Sequence, residues 1–161
     1  EFSANGKDDI EFLISTNLGE MPKPLSKIAS GGELSRIILA IKSVITSEKS
    51  AGTLIFDEVD TGVSGKTAQK IGEKLYKMTK SAQVICITHL AQIAALADKH
   101  FLIEKKTENG RTRTEITPLD GNLRVNEIAR IIGGEVITDL TRENAKEQIL
   151  LADKIKNKLK K

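Results

Sequence analysis

The fold is decided by a short stretch of sequence, Thr53-Leu54-Ile55-Phe56-Asp57-Glu58, in which a strand-forming apolar run ends in two acids. A second stretch of the same kind, Gln83-Val84-Ile85-Cys86-Ile87, ends in Thr88-His89. Strands with continuously apolar centres are typical of parallel sheets that helices cover. The two stretches therefore predict an α/β fold with a mostly parallel sheet, and they bring polar residues to the edge at which such sheets bind ligands.

Helices and further strands are predicted on both sides of these two strands. Six apolar residues before the first strand recur at helical spacing and form one stripe: Leu34, Ile37, Ile38, Ile41, Val44 and Ile45. The other predicted elements are a strand over 10–14, helices over about 66–79, 90–97, 124–132 and 141–158, and a hairpin of 100–106 with 111–117 around Asn109-Gly110. The sequence thus predicts an α/β layer followed by a hairpin and two C-terminal helices.

Composition excludes several classes of protein. Of the 161 residues, 39% are hydrophobic and 29% are charged, which is ordinary for a globular domain and excludes a disordered chain. No apolar run approaches the roughly 18 residues that a membrane-spanning helix needs. Five aromatic residues are too few for the stacking platforms that bind single-stranded nucleic acid. The single cysteine, Cys86, fits a reducing compartment.

The positive net charge comes from the C-terminal end. Residues 154–161 hold five lysines and no acid, and removing those five from the net charge of +3 leaves −2 for the rest of the chain. A terminal run of charge is more often a solvated end than a nucleic-acid site, although it could contact DNA phosphates. We therefore expect a folded lobe over 10–153, a basic tail over 154–161, and a flexible segment or cloning remnant over 1–9.

The first candidate site is Ser30-Gly31-Gly32-Glu33, which opens the predicted amphipathic helix. One interpretation is a capping box, in which the serine and the glutamate satisfy free N–H groups of the first helical turn. A capping box does not require two glycines, however, and glycine is a poor helix former. Glycines at a helix N-terminus let a phosphate approach the backbone N–H groups closely. The spacing alone leaves both interpretations open.

The second and third candidates stand at the ends of the two apolar strands. Asp57 could hold Mg²⁺ and Glu58 could orient or deprotonate a water molecule, because adjacent residues of a strand point in opposite directions. His89 could hydrogen-bond a phosphate or a reacting water. A polar strand end and a structural histidine are the plainer interpretations. The other histidine, His100, has no such context and is expected at the surface.

One near-match to a phosphate-binding loop is rejected. The stretch Asp60-Thr61-Gly62-Val63-Ser64-Gly65-Lys66-Thr67 ends in Gly-Lys-Thr, but the pattern requires a glycine where Asp60 stands. A carboxylate at that position would repel the phosphates. Cys86 lies mid-strand among apolar neighbours and is expected to pack in the core rather than act as a nucleophile.

Taken together and in this order, the motifs resemble those of ABC-type ATPases. Ser30-Gly31-Gly32-Glu33 resembles their signature motif and Leu54–Glu58 resembles their Walker B strand, while Asp60 and His89 stand where the D-loop aspartate and the switch histidine belong. Transporters of this class typically continue Asp-Glu-Pro-Thr, whereas this chain continues Asp57-Glu58-Val59-Asp60-Thr61. Over about residues 10–151 the chain is therefore more similar to the SMC-like, chromosome-maintenance and DNA-repair branch.

The resemblance implies a role for each site residue. Asp57 would position Mg²⁺, Glu58 would polarise the attacking water, and His89 would sense the γ-phosphate of ATP. Contact with ATP held by a second head would come from the signature residues: Ser30, Gly31, Gly32 and Glu33. Asp60 would couple the two sites across the dimer.

The resemblance also implies what the chain belongs to. It has neither the Walker A loop nor the glutamine loop of these ATPases, so it resembles the C-terminal lobe of a split head. Its partners would be the N-terminal lobe of the same head, a second head and, through the intact protein, DNA. The setting would be double-strand-break repair and recombination in the bacterial cytoplasm, at the nucleoid. Alone, the chain would be inactive, and the alternative is a non-catalytic interaction module that binds no nucleotide of its own.

Overall fold

The computed structural model describes residues 6–8, 10–15, 19–27, 30–45, 52–108 and 110–160. Three predicted features lie partly outside these residues: the segment 1–9, the hairpin turn at Asn109 and the basic tail at Lys161. The elements are, in chain order, β1 (Leu13–Ile14), β2 (Lys23–Pro24), a 3₁₀ turn (Leu25–Lys27), α1 (Gly31–Ile45), β3 (Thr53–Phe56), α2 (Gly65–Met78), β4 (Gln83–Cys86), α3 (Ala91–Ala94), β5 (His100–Glu108), β6 (Arg111–Leu119), α4 (Gly121–Gly133) and α5 (Asp139–Lys160).

The α/β fold predicted from the sequence is confirmed. Strands β3 and β4 pair in parallel, with Thr53 opposite Gln83 and Phe56 opposite Cys86, and α2 makes the crossover between them. The other pairings among the described strands are antiparallel: β1 with β2, and β5 with β6 over nine residue pairs. Parallel pairing is thus confined to the two strands whose ends carry the candidate site.

Two apolar clusters hold the elements together. The first packs α1 and α2 on one face of β3 and β4, and its buried members are Leu39, Phe56, Val59, Ile71, Leu75, Met78 and Ile93. The second joins α3, α4 and α5, and its buried members are Ala91, Ala95, Leu96, Ile128, Ala129, Ala145 and Ala152. The many alanines of the second cluster let the helix backbones approach closely. Because α3 contributes to both clusters, it connects the sheet to the C-terminal helices.

Helix α1 turns its apolar stripe away from this core. Its buried residues are Gly32 and Leu39, whereas Leu34, Ile38 and Ile41 are exposed and Val44 is 85% exposed. The uncovered face of β3 and β4 is also apolar, since Ile55, Ile85 and Ile87 are exposed there. We call the first surface the α1 stripe and the second the open sheet face. Contiguous exposed apolar surface of this kind usually marks a contact with another protein or domain.

The C-terminal helix continues through most of the predicted basic tail. Residues 154–160 belong to α5, and Ile155 packs against the second cluster. The ammonium of Lys156 lies 3.1 Å from Asp98 and 3.3 Å from Asp153, and 5.8 Å from the centre of the Tyr76 ring. Part of the terminal positive charge therefore has a structural role inside the lobe.

Arg124 of α4 holds the end of α3. Its Nη2 donates hydrogen bonds to the carbonyls of Ala95 and Ala97, both at 2.8 Å. The same side chain lies near His100, and the prediction that His100 is a surface residue is wrong: the residue is half-buried, and its buried Nδ1 has no hydrogen-bond partner among the residues that the structure describes. Burial, and then the positive charge of Arg124, lower the pKa of His100, while the charge of Glu127 opposes them.

We expect the substitution Arg124→Met to destabilise the lobe by about 2 to 3 kcal/mol, because it leaves carbonyls at the end of α3 without donors. The control is Arg113→Met on the exposed hairpin, which is expected to change stability by less than about 0.5 kcal/mol. Urea unfolding followed by circular dichroism measures both values. Equal stability of the two variants would show that Arg124 does not anchor α3.

Candidate functional site

The polar ends of β3 and β4 meet at one edge of the sheet. Asp57 and Glu58 follow β3, and Thr88 and His89 follow β4. The parallel ladder continues one step beyond the strands, where the N–H of Ile87 donates to the carbonyl of Phe56 at 3.0 Å. The structure therefore brings together the second and third sequence motifs, as the parallel-sheet prediction requires.

A tight turn positions Asp57 and Glu58. Glu58 adopts φ +58°, the left-handed conformation that residues other than glycine rarely take. The carbonyl of Glu58 accepts a hydrogen bond from the N–H of Thr61 at 3.1 Å, and Asp57 Oδ1 accepts one from the N–H of Glu58 at 2.9 Å. A non-glycine residue in this conformation costs about 1–3 kcal/mol and tends to occur at functional sites. Both carboxylates remain exposed at the edge.

Asp60 ties this turn to the end of β4. Its side chain is 2% exposed, and its Oδ2 accepts hydrogen bonds from Thr88 Oγ1 at 2.5 Å and from the N–H of His89 at 2.9 Å. His89 Nδ1 lies 3.2 Å from the same oxygen, while the imidazole is 68% exposed. One buried carboxylate thus orients an imidazole that faces solvent. The predicted role of Asp60 between two heads stays a prediction, since its polar contacts here are within one chain.

The first sequence motif lies against the same turn. Ser30 Oγ accepts a hydrogen bond from the N–H of Glu33 at 3.1 Å, so Ser30 caps α1. A Cβ atom at Gly31 would lie 2.5 Å from Glu58 Oε2, and one at Gly32 would lie 3.0 Å from the carbonyl oxygen of Thr61. The glycines therefore permit a close approach of the chain's own turn. The capping interpretation is supported, and the two glycines have a contact within the chain that explains them.

Sequence reasoning missed two contributors to the site. Arg36 Nη1 donates to the carbonyl of Thr61 at 2.7 Å and so fastens the turn to α1. Thr61 stands in the motif stretches without a role of its own, and the contact spans 25 positions of the chain. The signal in the sequence was that Arg36 lies six residues, about 1.7 helical turns, beyond Ser30.

The carboxylates at the edge are oxygen ligands of the kind that Mg²⁺ takes in proteins. Among the described residues, no three His, Cys, Asp or Glu side chains cluster closely enough to hold a metal ion. Mg²⁺ is commonly held by one or two carboxylates together with phosphate oxygens and water. Asp57 and Glu58 fit that partial role because both are exposed at the edge, and they do not form a complete cage by themselves.

Cys86 is not a nucleophile. It packs against the first apolar cluster, and burial raises the pKa of its thiol to about 12, with further contributions from the negative charges of Asp60 and Asp57. A thiol with such a pKa stays protonated at neutral pH. The stretch that nearly matches a phosphate-binding loop does not form one, because Asp60 at its first position is buried and accepts a hydrogen bond from Thr88, beyond the end of β4.

The described elements form an α/β lobe in which polar residues from separate stretches of the chain meet at one edge of a parallel strand pair. No protein-family model matches the chain. The chain is homologous to the bacterial DNA repair protein RecN, with 53% identity to RecN of Bacillus subtilis (strain 168) over 156 residues, which are 97% of this chain and 27% of that protein.

Other RecN proteins give the same result. Identity is 51% over 148 residues with RecN of Haemophilus influenzae and 40% over 146 residues with RecN of Streptomyces coelicolor, in each case 91% of this chain and 26% of the relative. The chain thus spans about a quarter of the length of these relatives. A solved structure described as "Structural biochemistry of ATP-driven dimerization and DNA stimulated activation of SMC ATPases" superposes with a TM-score of 0.49 at 23% identity, covering 73% of this chain and 70% of that chain.

We expect the substitution Asp60→Asn to destabilise the lobe by about 1 to 2 kcal/mol, because the neutral amide weakens the hydrogen bonds that the buried carboxylate oxygen accepts from Thr88 and His89 and places an NH2 group beside them. Asp57→Asn is the matched control, since that carboxylate is exposed at the same edge. Urea unfolding gives the two free energies, and the amide NMR signal of His89 reports the lost bond. A loss below about 0.5 kcal/mol for Asp60→Asn would contradict the assigned linking role.

Proposed function

We propose that this chain is half of the ATP-binding and ATP-hydrolysing head of an SMC-like protein that acts in DNA double-strand-break repair and recombination, in the cytoplasm at the nucleoid. The observation that carries the proposal is the meeting of the three motifs: a Cβ atom at Gly31 would lie 2.5 Å from Glu58 Oε2, and Asp60 Oδ2 lies 3.2 Å from His89 Nδ1. Homology to RecN along nearly the whole chain supports the biological setting.

We assign each residue at the sheet edge the role that its position and exposure allow. Asp57 is proposed to hold Mg²⁺, and Glu58 to polarise the attacking water, since both carboxylates are exposed at the end of β3. His89 is proposed to hydrogen-bond the terminal phosphate, because Asp60 fixes its Nδ1 side and leaves the rest of the ring exposed. ATP, when bound with Mg²⁺, supplies the phosphoanhydride bond that is hydrolysed.

The signature residues are proposed to serve a second head. Their exposed surface is the start of α1, where Ser30 and Gly31 face solvent and Gly32 is buried. The free N–H groups of a helix N-terminus attract phosphate. Nucleotide held by the opposite head would meet Ser30, Gly31, Gly32 and Glu33, while Asp60 would couple the two sites. This arrangement makes the head a dimer.

The exposed apolar surfaces support the proposal that a second lobe packs against this one. Among the described strands, β3 pairs only with β4, so each has a free outer edge, and two-stranded sheets are marginal without more partners. The open sheet face and the α1 stripe are apolar and uncovered. Because RecN relatives are about three and a half times as long as this chain, we propose that the N-terminal lobe of the same head covers these surfaces.

The alternative is a non-catalytic interaction module. It would use the same apolar surfaces to dock an N-terminal lobe or another head, and it would bind no nucleotide of its own. The sequence favours it for the isolated chain, because the chain lacks the Walker A loop, whose lysine would anchor the β- and γ-phosphates. The two hypotheses differ in what happens when the other lobe is present.

In the intact protein, we expect Glu58→Gln to leave ATP binding unchanged and to slow steady-state hydrolysis by at least about tenfold, because a general base typically contributes about 10²–10⁴. The control is Glu104→Gln, which neutralises an exposed acid on the hairpin. Phosphate release measures turnover and a fluorescent ATP analogue measures binding. Turnover within twofold of the parent would remove Glu58 from its role.

We expect this chain alone to bind no ATP at concentrations up to about 1 mM, which corresponds to a binding free energy of about 4 kcal/mol. Addition of the N-terminal lobe as a separate polypeptide is expected to create ATP binding.

Ile55→Lys on the open sheet face should weaken the association of the lobes at least about tenfold, since it places a charge in an apolar contact. Ile103→Lys is the control, because that side chain is similarly exposed on the hairpin. Calorimetry measures both steps. Association without any ATP binding would favour the interaction module.

A further inference from the structure

Helix α2 carries a straight row of lysines on its outer side. At 100° per residue, Lys66, Lys70, Lys74 and Lys77 fall within a sector of about 80°. The buried residues of α2, such as Ile71 and Leu75, lie on the opposite side, against the first apolar cluster. All four lysines are exposed. We call them the lysine stripe.

The lysines of the stripe have no acidic partner among the described residues, whose ion pairs within 4.0 Å involve other cations: His89, Lys106, Arg130, Arg142, Lys146 and Lys156. The one acid on α2, Glu73, accepts a hydrogen bond from Gln69 Nε2 at 2.9 Å instead. Positive charge on this helix is therefore concentrated and not neutralised within the described part of the lobe.

A small recess lies at the C-terminal end of the stripe. It has a volume of about 120 Å³ and is lined by Ser43, Lys74, Lys77, Met78 and Ser81. Ser43 Oγ donates to the carbonyl of Ala40 at 2.7 Å, and Ser81 Oγ to that of Met78 at 3.3 Å. Two ammonium groups and two hydroxyl groups line this recess, and all four can donate hydrogen bonds to a phosphate group.

We propose that the lysine stripe binds the phosphate backbone of double-stranded DNA. Four lysines over twelve residues form a row of about 16 Å, and duplex DNA presents about one charge per 1.7 Å of its axis. A membrane surface fits less well, because it needs apolar side chains beside the cations, and the exposed residues of α2 are Gly, Lys, Thr and Gln. A single strand fits less well because the chain has only five aromatic residues.

The inference deepens the proposed function, because it names the face of this lobe that meets DNA, and it rests on that proposed function for the identity of the partner. It does not involve the nucleotide site. The stripe starts at Lys66, beyond the turn that holds Asp60, and runs away from the sheet edge along α2. DNA binding can therefore be tested without nucleotide, so that its failure and the failure of the ATPase proposal are separable.

The test compares two triple variants of this chain that remove the same charge. Lys70→Gln, Lys74→Gln and Lys77→Gln change the stripe, and Lys154→Gln, Lys158→Gln and Lys160→Gln change the end of α5. Lysine and glutamine have similar helix propensities, so both variants should fold, which circular dichroism verifies. Fluorescence anisotropy with a 30-base-pair duplex, at several salt concentrations and without nucleotide, gives affinity and salt dependence.

We expect the stripe variant to bind the duplex at least about tenfold more weakly at low salt. The negative slope of log K against log [salt] should become shallower by about 2 to 3, one unit for each lost phosphate contact. The α5 variant should change affinity by less than about threefold. The proposal is overturned if the parent chain binds no duplex, if the α5 variant loses as much as the stripe variant, or if polyglutamate or anionic vesicles compete as well as DNA.

Discussion

The carboxylate of Asp60 is the interaction on which the site depends. The parallel pairing aligns β3 with β4, but it does not fix the turn after β3 against the segment after β4. The buried oxygen of Asp60 does so, because it takes hydrogen bonds from both Thr88 and His89. A buried charge of this kind is tolerated only when it is fully hydrogen-bonded, so the turn and the strand end are fixed together or not at all.

The rest of the edge follows from that link. Once the turn is fixed, Glu58 is held in its left-handed conformation, and the start of α1 can approach it only because Gly31 has no side chain. Arg36 then fastens the helix to the turn from the other side. Acid, imidazole and helix start thus form one unit, although they come from three separate parts of the chain.

The sequence predicts the elements better than their mutual arrangement. The strands and helices depend on short-range patterns, and the structure has them, although the strand predicted over 10–14 is reduced to Leu13–Ile14 and the helix predicted over 90–97 to Ala91–Ala94. The wrong prediction for His100 and the missed contact of Arg36 have one cause: each depends on a neighbour far along the chain, Arg124 in one case and Thr61 in the other. The outward orientation of α1 is of the same kind, because Leu39 rather than the stripe meets the core.

The outward apolar stripe of α1 has a consequence for how a two-lobe head would be made. If the stripe packs against a lobe that is synthesised earlier, the apolar surface of that earlier lobe stays exposed on the ribosome until α1 has been synthesised. Contacts between parts so distant in sequence form late and slowly, and uncovered apolar surface favours aggregation meanwhile. Chaperone binding to nascent chains, and their yield at raised temperature, would then be governed by the side chains of this one helix as much as by the core of either lobe.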